Sequence, residues 1–312
     1  MSQRPRYRSV VADSARWDGF RFRPGDIVIS TPPKCGTTWM QRLVALLLFD
    51  GEPPGPISSI SPWLDMQLAT TDDVFALLET QQHRRFIKSH TPFDGIPYDE
   101  RVTYVCVGRD PRDVAVSSLH HMDNMDVERF IEKRAAAVGL DDLAELGVDQ
   151  PGPPPPQSEA DRMRAWMDGD SEVTVMTLAS VLRHLESFWT RRHLPNVALF
   201  HYDDLLVDLP GQMRRLADVL DVTISDERLA QLAAAATFDA MRQRADDVVP
   251  NADIQLWHST TAFFHRGTSG QWREAFTDDD LRHYDARVQE LVPPDLAAWV
   301  HNGWLRTAAA AD

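Results

Sequence analysis

A cation, a flexible backbone position and two hydroxyls fall within one short run of this chain, Thr31-Pro32-Pro33-Lys34-Cys35-Gly36-Thr37-Thr38-Trp39. Lys34, Gly36, Thr37 and Thr38 supply what a phosphate group needs where a turn opens a helix, because the first backbone N–H groups point outward and the helix dipole favours negative charge there. The pattern is not Gly-x-x-x-x-Gly-Lys followed by Ser or Thr, since Lys34 precedes the glycine. By residue type alone, the run is either an anion cradle or an ordinary turn. Trp39 is likewise either a core residue or a platform for a purine. Lys88 and His90, two residues apart, share one side of an extended strand. An imidazole titrates near neutrality and suits proton transfer, although a histidine at a strand end also serves purely structural ends. Arg109 offers a planar fork to a phosphate, or caps a turn before Asp110-Pro111. Ser117, eight residues on, is a hydroxyl ligand or a small packing residue. His120 and His121 are adjacent, and adjacent residues on a helix do not face one another, so they are not read as a metal pair. Cys35 beside Lys34 is either a small structural residue or a thiol of lowered pKa.

These residues need elements to hold them. Asp26 to Thr31 reads as a short buried strand, and Thr37 to Phe49 carries apolar residues at a helical period. Phe86 to Lys88, Val102 to Val107 and Val197 to Tyr202 are further short apolar strands. A helix is expected from Arg112 to Met122, with Pro111 in its first turn, and another from Leu205 to Leu220. Short strands alternating with longer helices predict an α/β fold. Specifically, residues 1–312 are expected to form a single domain with a central, largely parallel sheet flanked by helices, the first strand-loop-helix resembling a P-loop. Residues 137–170 are acidic and include Pro151-Gly152-Pro153-Pro154-Pro155-Pro156, and are expected to form an exposed insertion or lid.

Composition narrows the partners. Asp and Glu outnumber Lys and Arg by 47 to 32, a net charge of −15, which argues against nucleic acid as a partner. An anionic ligand must therefore be held by a local cluster of donors. No apolar run approaches the ~20 residues of a membrane span. No secretory signal is expected at the N-terminus, and two cysteines are too few for a disulfide framework, so a cytoplasmic location is expected.

The run around Lys34 resembles the 5′-phosphosulfate loop of the sulfotransferase family, Thr-Tyr-Pro-Lys-Ser-Gly-Thr-Thr-Trp. Other segments of that family follow in order. Arg109 and Ser117, within Tyr104 to Ser117, resemble its 3′-phosphate segment. Lys88-Ser89-His90-Thr91-Pro92 resembles the Lys-Thr-His-Leu-Pro stretch carrying its catalytic base. Leu199 to Asp204 resembles the segment whose tyrosine, here Tyr202, touches adenine. Thr237-Phe238-Asp239-Ala240-Met241 is similar to a Ser-Phe-x-x-Met stretch lining the same base. Arg266 to Trp272 resembles a Lys-Gly-x-x-Gly-Asp-Trp loop over the 3′-phosphate. The departures are Cys35 for Ser, Gln271 for Asp and His265 where an arginine is common. The dimerisation motif of many animal members is absent from Arg273 onward.

The resemblance implies an enzyme that uses 3′-phosphoadenosine 5′-phosphosulfate (PAPS) as co-substrate and no metal. It implies His90, Lys34 and Lys88 as catalytic residues. For the donor it implies Lys34, Cys35, Gly36, Thr37, Thr38, Trp39, Arg109, Ser117, Tyr202, Thr237, Phe238, Met241, His265, Arg266 and Gly267. Sulfuryl transfer moves a less charged group than phosphoryl transfer does, so positioning and aimed donors are expected to suffice. The acceptor is expected to be a small or medium-sized hydroxyl compound, less readily an amine. Trp63, Phe93, Trp166, Trp257, Phe263 and Phe264 in the remaining loops favour an apolar or aromatic one. The alternatives are a P-loop-type kinase and a non-catalytic nucleotide-binding module of the same fold.

Overall fold

Four short strands, Ile27–Ser30 (β1), Phe86–Ser89 (β2), Thr103–Gly108 (β3) and Val197–His201 (β4), pair in parallel in the order β2-β1-β3-β4. The computed structural model describes residues 4–147, 158–170 and 176–309. β1 lies at the centre, with Ile27 level with Phe86 on one side and Thr103 on the other. Strands buried on both faces read as continuous apolar runs, which is why these segments lack strict alternation.

Successive strand residues feed two separate cores. Val28, Ile87, Tyr104 and Cys106 point into one, which is closed by Val114 and Ala115 of the helix Pro111–Asn124, Leu182 and Leu185 of Leu178–Trp189, and Trp299. Ile27, Ile29, Phe86, Val105 and Val107 point into the other, closed by Met40, Leu43, Val44 and Leu47 of the helix Thr37–Leu48. Asp110 caps the helix Pro111–Asn124 by accepting a hydrogen bond from the backbone N–H of Arg112 at 3.0 Å, and Pro111 stands in its first turn.

The insertion departs from expectation in part. Its second half forms the helix Glu159–Asp168, whose Met163, Trp166 and Met167 are buried in the first core. With three core side chains, this helix is packed into the scaffold rather than standing exposed. Residues 148–157, including the proline run, lie outside the described ones. Asp142 and Glu145, just before them, are tied to Arg8 at 2.9 and 2.7 Å.

At the amino ends of β1 and β2, Arg85 and Asp26 form a buried two-pronged ion pair. Arg85 Nε and Nη2 donate to the Asp26 carboxylate at 2.9 and 2.5 Å, and neither side chain is more than 2% exposed. Removing one partner of such a pair strands the other charge. Arg85→Met should therefore lose about 3–5 kcal/mol of unfolding free energy, whereas Asp26→Leu/Arg85→Met should lose less than the single change. Urea unfolding of both variants checks this, and an equal loss in the two would show that packing, not the stranded charge, dominates.

Candidate functional site

Parallel strands put all their carboxyl ends on one edge, and the turns that follow them gather there. β1 runs into the Lys34 turn, β2 into His90, β3 into Arg109 and β4 into Tyr202. One cavity of about 240 Å³ receives all four.

The turn after β1 is shaped by backbone geometry. Lys34 sits in the left-handed region with φ 66°, a conformation that costs a residue with a side chain about 1–3 kcal/mol. Gly36, with φ 99°, begins the helix Thr37–Leu48, and a Cβ there would meet the Tyr202 ring at 3.0 Å. Lys34, Gly36, Thr37, Thr38 and Trp39 all line the cavity. Thr37 also hydrogen-bonds through its hydroxyl to that of Thr31, and Trp39 Nε1 donates to the Ala236 carbonyl at 2.8 Å. Cys35 is different: its side chain is fully buried in the first core and does not reach the cavity. Burial pushes its thiol up to about 12, so the expectation of a lowered thiol pKa is reversed.

Arg109 is buried and bound only to carbonyls, Lys34 O at 3.1 Å and Thr268 O at 3.3 Å, while its guanidinium lies 4.2 Å over the Tyr202 ring. Its Nε is buried without a partner. Ser117 joins it on the cavity wall. Phe238, Met241, His265, Arg266 and Gly267 also line the cavity. Gly267 is required there, since φ is 64° and a Cβ would meet the Phe238 ring at 2.2 Å. Arg266 pairs with Glu274 at 2.9 Å. His265 stacks on His120 at 3.7 Å between centroids and contacts Gln271 Oε1 at 3.2 Å through Nδ1. Burial, with His120 and Arg266 nearby, lowers its pKa. Thr237 stays off the wall; its hydroxyl caps the helix Phe238–Gln243.

Lys88 and His90 both line the cavity, as their spacing implies. His90 Nδ1 contacts the Thr31 carbonyl at 2.6 Å, and a carbonyl only accepts, so the proton is on Nδ1 and Nε2 keeps its lone pair. Its ring meets Trp63 edge-on at 4.6 Å. Burial, then the Lys88 charge, holds its pKa well below the usual imidazole range, so the ring is neutral. Lys88 Nζ lies 4.1 Å over the Trp63 ring, and burial lowers its pKa to about 7 against the pull of Asp65.

Two residues the sequence did not single out as functional complete the site. His121 Nδ1 lies 3.1 Å from Lys34 Nζ, packed against Trp257 at 4.7 Å. Burial and the Lys34 charge hold His121 well below its usual pKa, so it accepts the hydrogen bond. Lys34 itself is lowered to about 7 by burial, then by Arg109 and Lys88. The His120-His121 pair is thus split: one ring stacks on His265 and the other meets Lys34. Asp65 is fully buried beneath β2, accepting from Trp17 Nε1 at 3.1 Å, Thr91 Oγ1 at 2.6 Å, Ser89 Oγ and Trp63 Nε1. No pattern of spacing signals either role.

The far end of the cavity is apolar, lined by Val11, Met66, Met125, Phe130, Leu256 and Trp257. Trp63, Phe263 and Phe264 are on the wall as expected, but Phe93 and Trp166 are core residues. Phe93 packs 5.1 Å from both Tyr104 and Phe188, because the turn Phe93–Gly95 folds back over the sheet. Among the described residues no cluster of His, Cys, Asp and Glu is arranged to hold a metal, and no helix is long and apolar enough to cross a membrane.

A parallel α/β layer with buried cations on a strand-loop-helix, beside a neutral histidine and an apolar chamber, defines a group-transfer enzyme that takes an anionic co-substrate. Residues 24–294 match the sulfotransferase domain, and the chain belongs to that family; it is a sulfotransferase. A glycolipid sulfotransferase of Mycobacterium bovis is 46% identical over 97% of this chain and 96% of its own length. In fold it resembles retinol dehydratase in complex with androsterone and the inactive cofactor PAP, at a TM-score of 0.68, 20% identity, and coverage of 91% and 89% of the two chains. It likewise resembles mouse sulfotransferase SULT7A1 complexed with PAP, at 0.66, 19%, and 92% and 91%.

The tautomer at His90 is directly measurable. Nitrogen-15 NMR should show Nδ1–H and a bare Nε2 near pH 7, unchanged on acidification through the ordinary imidazole range. Protonation of His90 at a pH close to that of an exposed imidazole would contradict the site described.

Proposed function

We propose that this sulfotransferase moves the sulfuryl group of PAPS to a hydroxyl of a small, lipid-like acceptor. The observation that carries the reading is convergence: Lys34, Arg109, Ser117, Lys88 and His90 come from three different strand ends to one cavity. The donor half fits a nucleotide carrying two anionic ends. Arg109, with a buried unpartnered Nε, and Ser117 would hold the 3′-phosphate, joined by Arg266 and the backbone at Gly267. Lys34, Thr37, Thr38 and the N–H groups after Gly36 would hold the 5′-phosphosulfate. Tyr202, Trp39, Phe238 and Met241 would enclose the adenine, with His265 at the edge of the nucleotide.

The donor supplies the sulfuryl group: its S–O bond to the 5′-phosphate breaks as a new S–O bond forms to the acceptor oxygen. His90 Nε2 takes the proton from the acceptor hydroxyl, and the hydrogen bond from Nδ1 to Thr31 keeps that nitrogen aimed into the cavity. Lys34 offsets charge gathering on the departing phosphate, and Lys88 steadies the group in transfer. His121 holds Lys34 in position from the acceptor side.

The apolar end of the cavity supports an acceptor with a hydrocarbon portion, as does the similarity to a glycolipid sulfotransferase. Met176, beyond residues 137–170, also reaches this cavity. Two free, buried cysteines accord with a cytoplasmic location.

His90→Ala should lower turnover about 10²–10⁴-fold while affinity for 3′-phosphoadenosine 5′-phosphate stays within a few-fold. Turnover within tenfold of wild type would remove His90 as the base. Thermal shifts should also respond to that nucleotide and not to ATP with magnesium; the reverse would favour a kinase.

Lys34 carries a second test. With its free pKa near 7, it is largely neutral at mildly alkaline pH, and a bound anion raises that pKa. Product binding should therefore take up close to one proton between pH 7 and the ordinary lysine range, falling away below pH 7, where the ammonium is already formed. Calorimetry in buffers of different ionisation enthalpy measures this, and Lys34→Met should abolish most of it. Equal uptake in wild type and variant would assign the proton elsewhere.

A further inference from the structure

Beyond the donor and acceptor cavity, a second recess of about 190 Å³ adjoins the same stretch of chain, 244–251. It is lined by Pro53-Pro54-Gly55-Pro56, by the apolar Ile57, Ile60 and Val248, and by three charged residues, Arg42, Arg244 and Asp247. Arg42 belongs to the helix Thr37–Leu48 and is only 5% exposed. No hydrogen bond or ion pair among the described residues reaches its guanidinium, and its Nε is buried without a partner. Every other arginine with so little exposure (Arg16, Arg85, Arg109 and Arg134) is tied to carbonyl or carboxylate oxygens. The charges facing Arg42 are Arg244, which opposes it, and Asp247, which does not touch it and is paired instead with Arg244 at 3.2 Å.

A guanidinium on a 5% exposed residue, its Nε buried without a partner and its nearest carboxylate engaged by a second arginine, is under-satisfied as it stands. Its five N–H donors lie in a fixed planar fork that matches the oxygens of a phosphate or sulfate. The recess exceeds the bulk of one such ion and is walled by prolines that cannot collapse into it. We propose that Arg42 and Arg244 bind a tetrahedral oxyanion, either free sulfate or phosphate or the terminal group of a phosphate monoester. The anion supplies the acceptors Arg42 lacks and offsets the repulsion between the two arginines. The recess and the main cavity share one short segment, Arg244, Asp247 and Val248 lining the first and Pro250 and Asn251 the second, so a bound ion also steadies the stretch leading to the main cavity wall.

The test is a melting titration with 3′-phosphoadenosine 5′-phosphate saturating the main site, exchanging chloride for sulfate or phosphate at constant ionic strength. Wild type should gain stability from the oxyanions beyond chloride. Arg42→Met should weaken that response about tenfold or more, and in chloride should melt no lower than wild type, because it removes a stranded charge. Arg244→Gln, at a half-exposed position, should weaken the response less and covers the case in which Arg42→Met fails to fold. No oxyanion response in wild type, or the same response in Arg42→Met or in Arg244→Gln, overturns the proposal. Flotation with phosphatidylcholine vesicles, with and without phosphatidic acid, separates the sources. Arg42-dependent flotation assigns a lipid monoester, and an oxyanion response without it assigns the free ion.

Discussion

Three cations, Lys34, Lys88 and Arg109, stand at the carboxyl ends of a parallel sheet, and among the described residues no carboxylate is in contact with any of them. Lys34 leans on a neutral imidazole, Arg109 on two carbonyls and a tyrosine ring, and Lys88 on a tryptophan face, with Asp65 at longer range. In a chain of net charge −15 this concentration is local by construction. Burying unmatched charge is costly, and the cost appears as lowered lysine pKa values. The rest of the fold withstands it: two cores grip the sheet from either face, and the Arg85–Asp26 pair fastens the opposite ends of two strands. An anionic co-substrate relieves at one end what the scaffold sustains from the other.

The same arrangement keeps the histidine usable. His90 lies near Lys88, and that proximity with burial keeps its ring neutral. A carbonyl from the neighbouring strand end selects the tautomer. Asp65 gathers Trp17, Trp63, Ser89 and Thr91 beneath it, so the backbone carrying Lys88 and His90 is held by side-chain hydrogen bonds as well as by the sheet. Asp65 itself is fully buried and off the cavity wall, so it preorganises these residues from behind the site.

Much of this was legible beforehand, for a physical reason. The four strands are short apolar runs because both faces are buried, and each is followed by the residue it delivers: Lys34, His90, Arg109, Tyr202. Linear spacing captures such delivery because a strand end fixes position directly. Side-chain direction within a turn is another matter. Cys35 points into the core while its neighbours Lys34 and Gly36 face the cavity, and Thr237 turns to cap its own helix. Phe93 and Trp166 are aromatic residues in loop-like sequence that tertiary packing draws inward. His121 and Asp65 were not legible as functional, since their partners lie 87 and roughly 24 residues away and no local pattern encodes the meeting.

The two halves of the cavity rest on unlike foundations. The cationic half is delivered by strand ends and by the starts of the helices Thr37–Leu48 and Pro111–Asn124, where displacement would disturb both cores. Leu256, Trp257, Phe263 and Phe264 belong instead to the largely irregular stretch between Val248 and Trp272. Substitutions there change the shape of the apolar chamber without passing through the sheet. The chain is thus modular at the scale of a single pocket: the apolar end can be reshaped by changes in one irregular stretch while the cationic end stays anchored in the sheet.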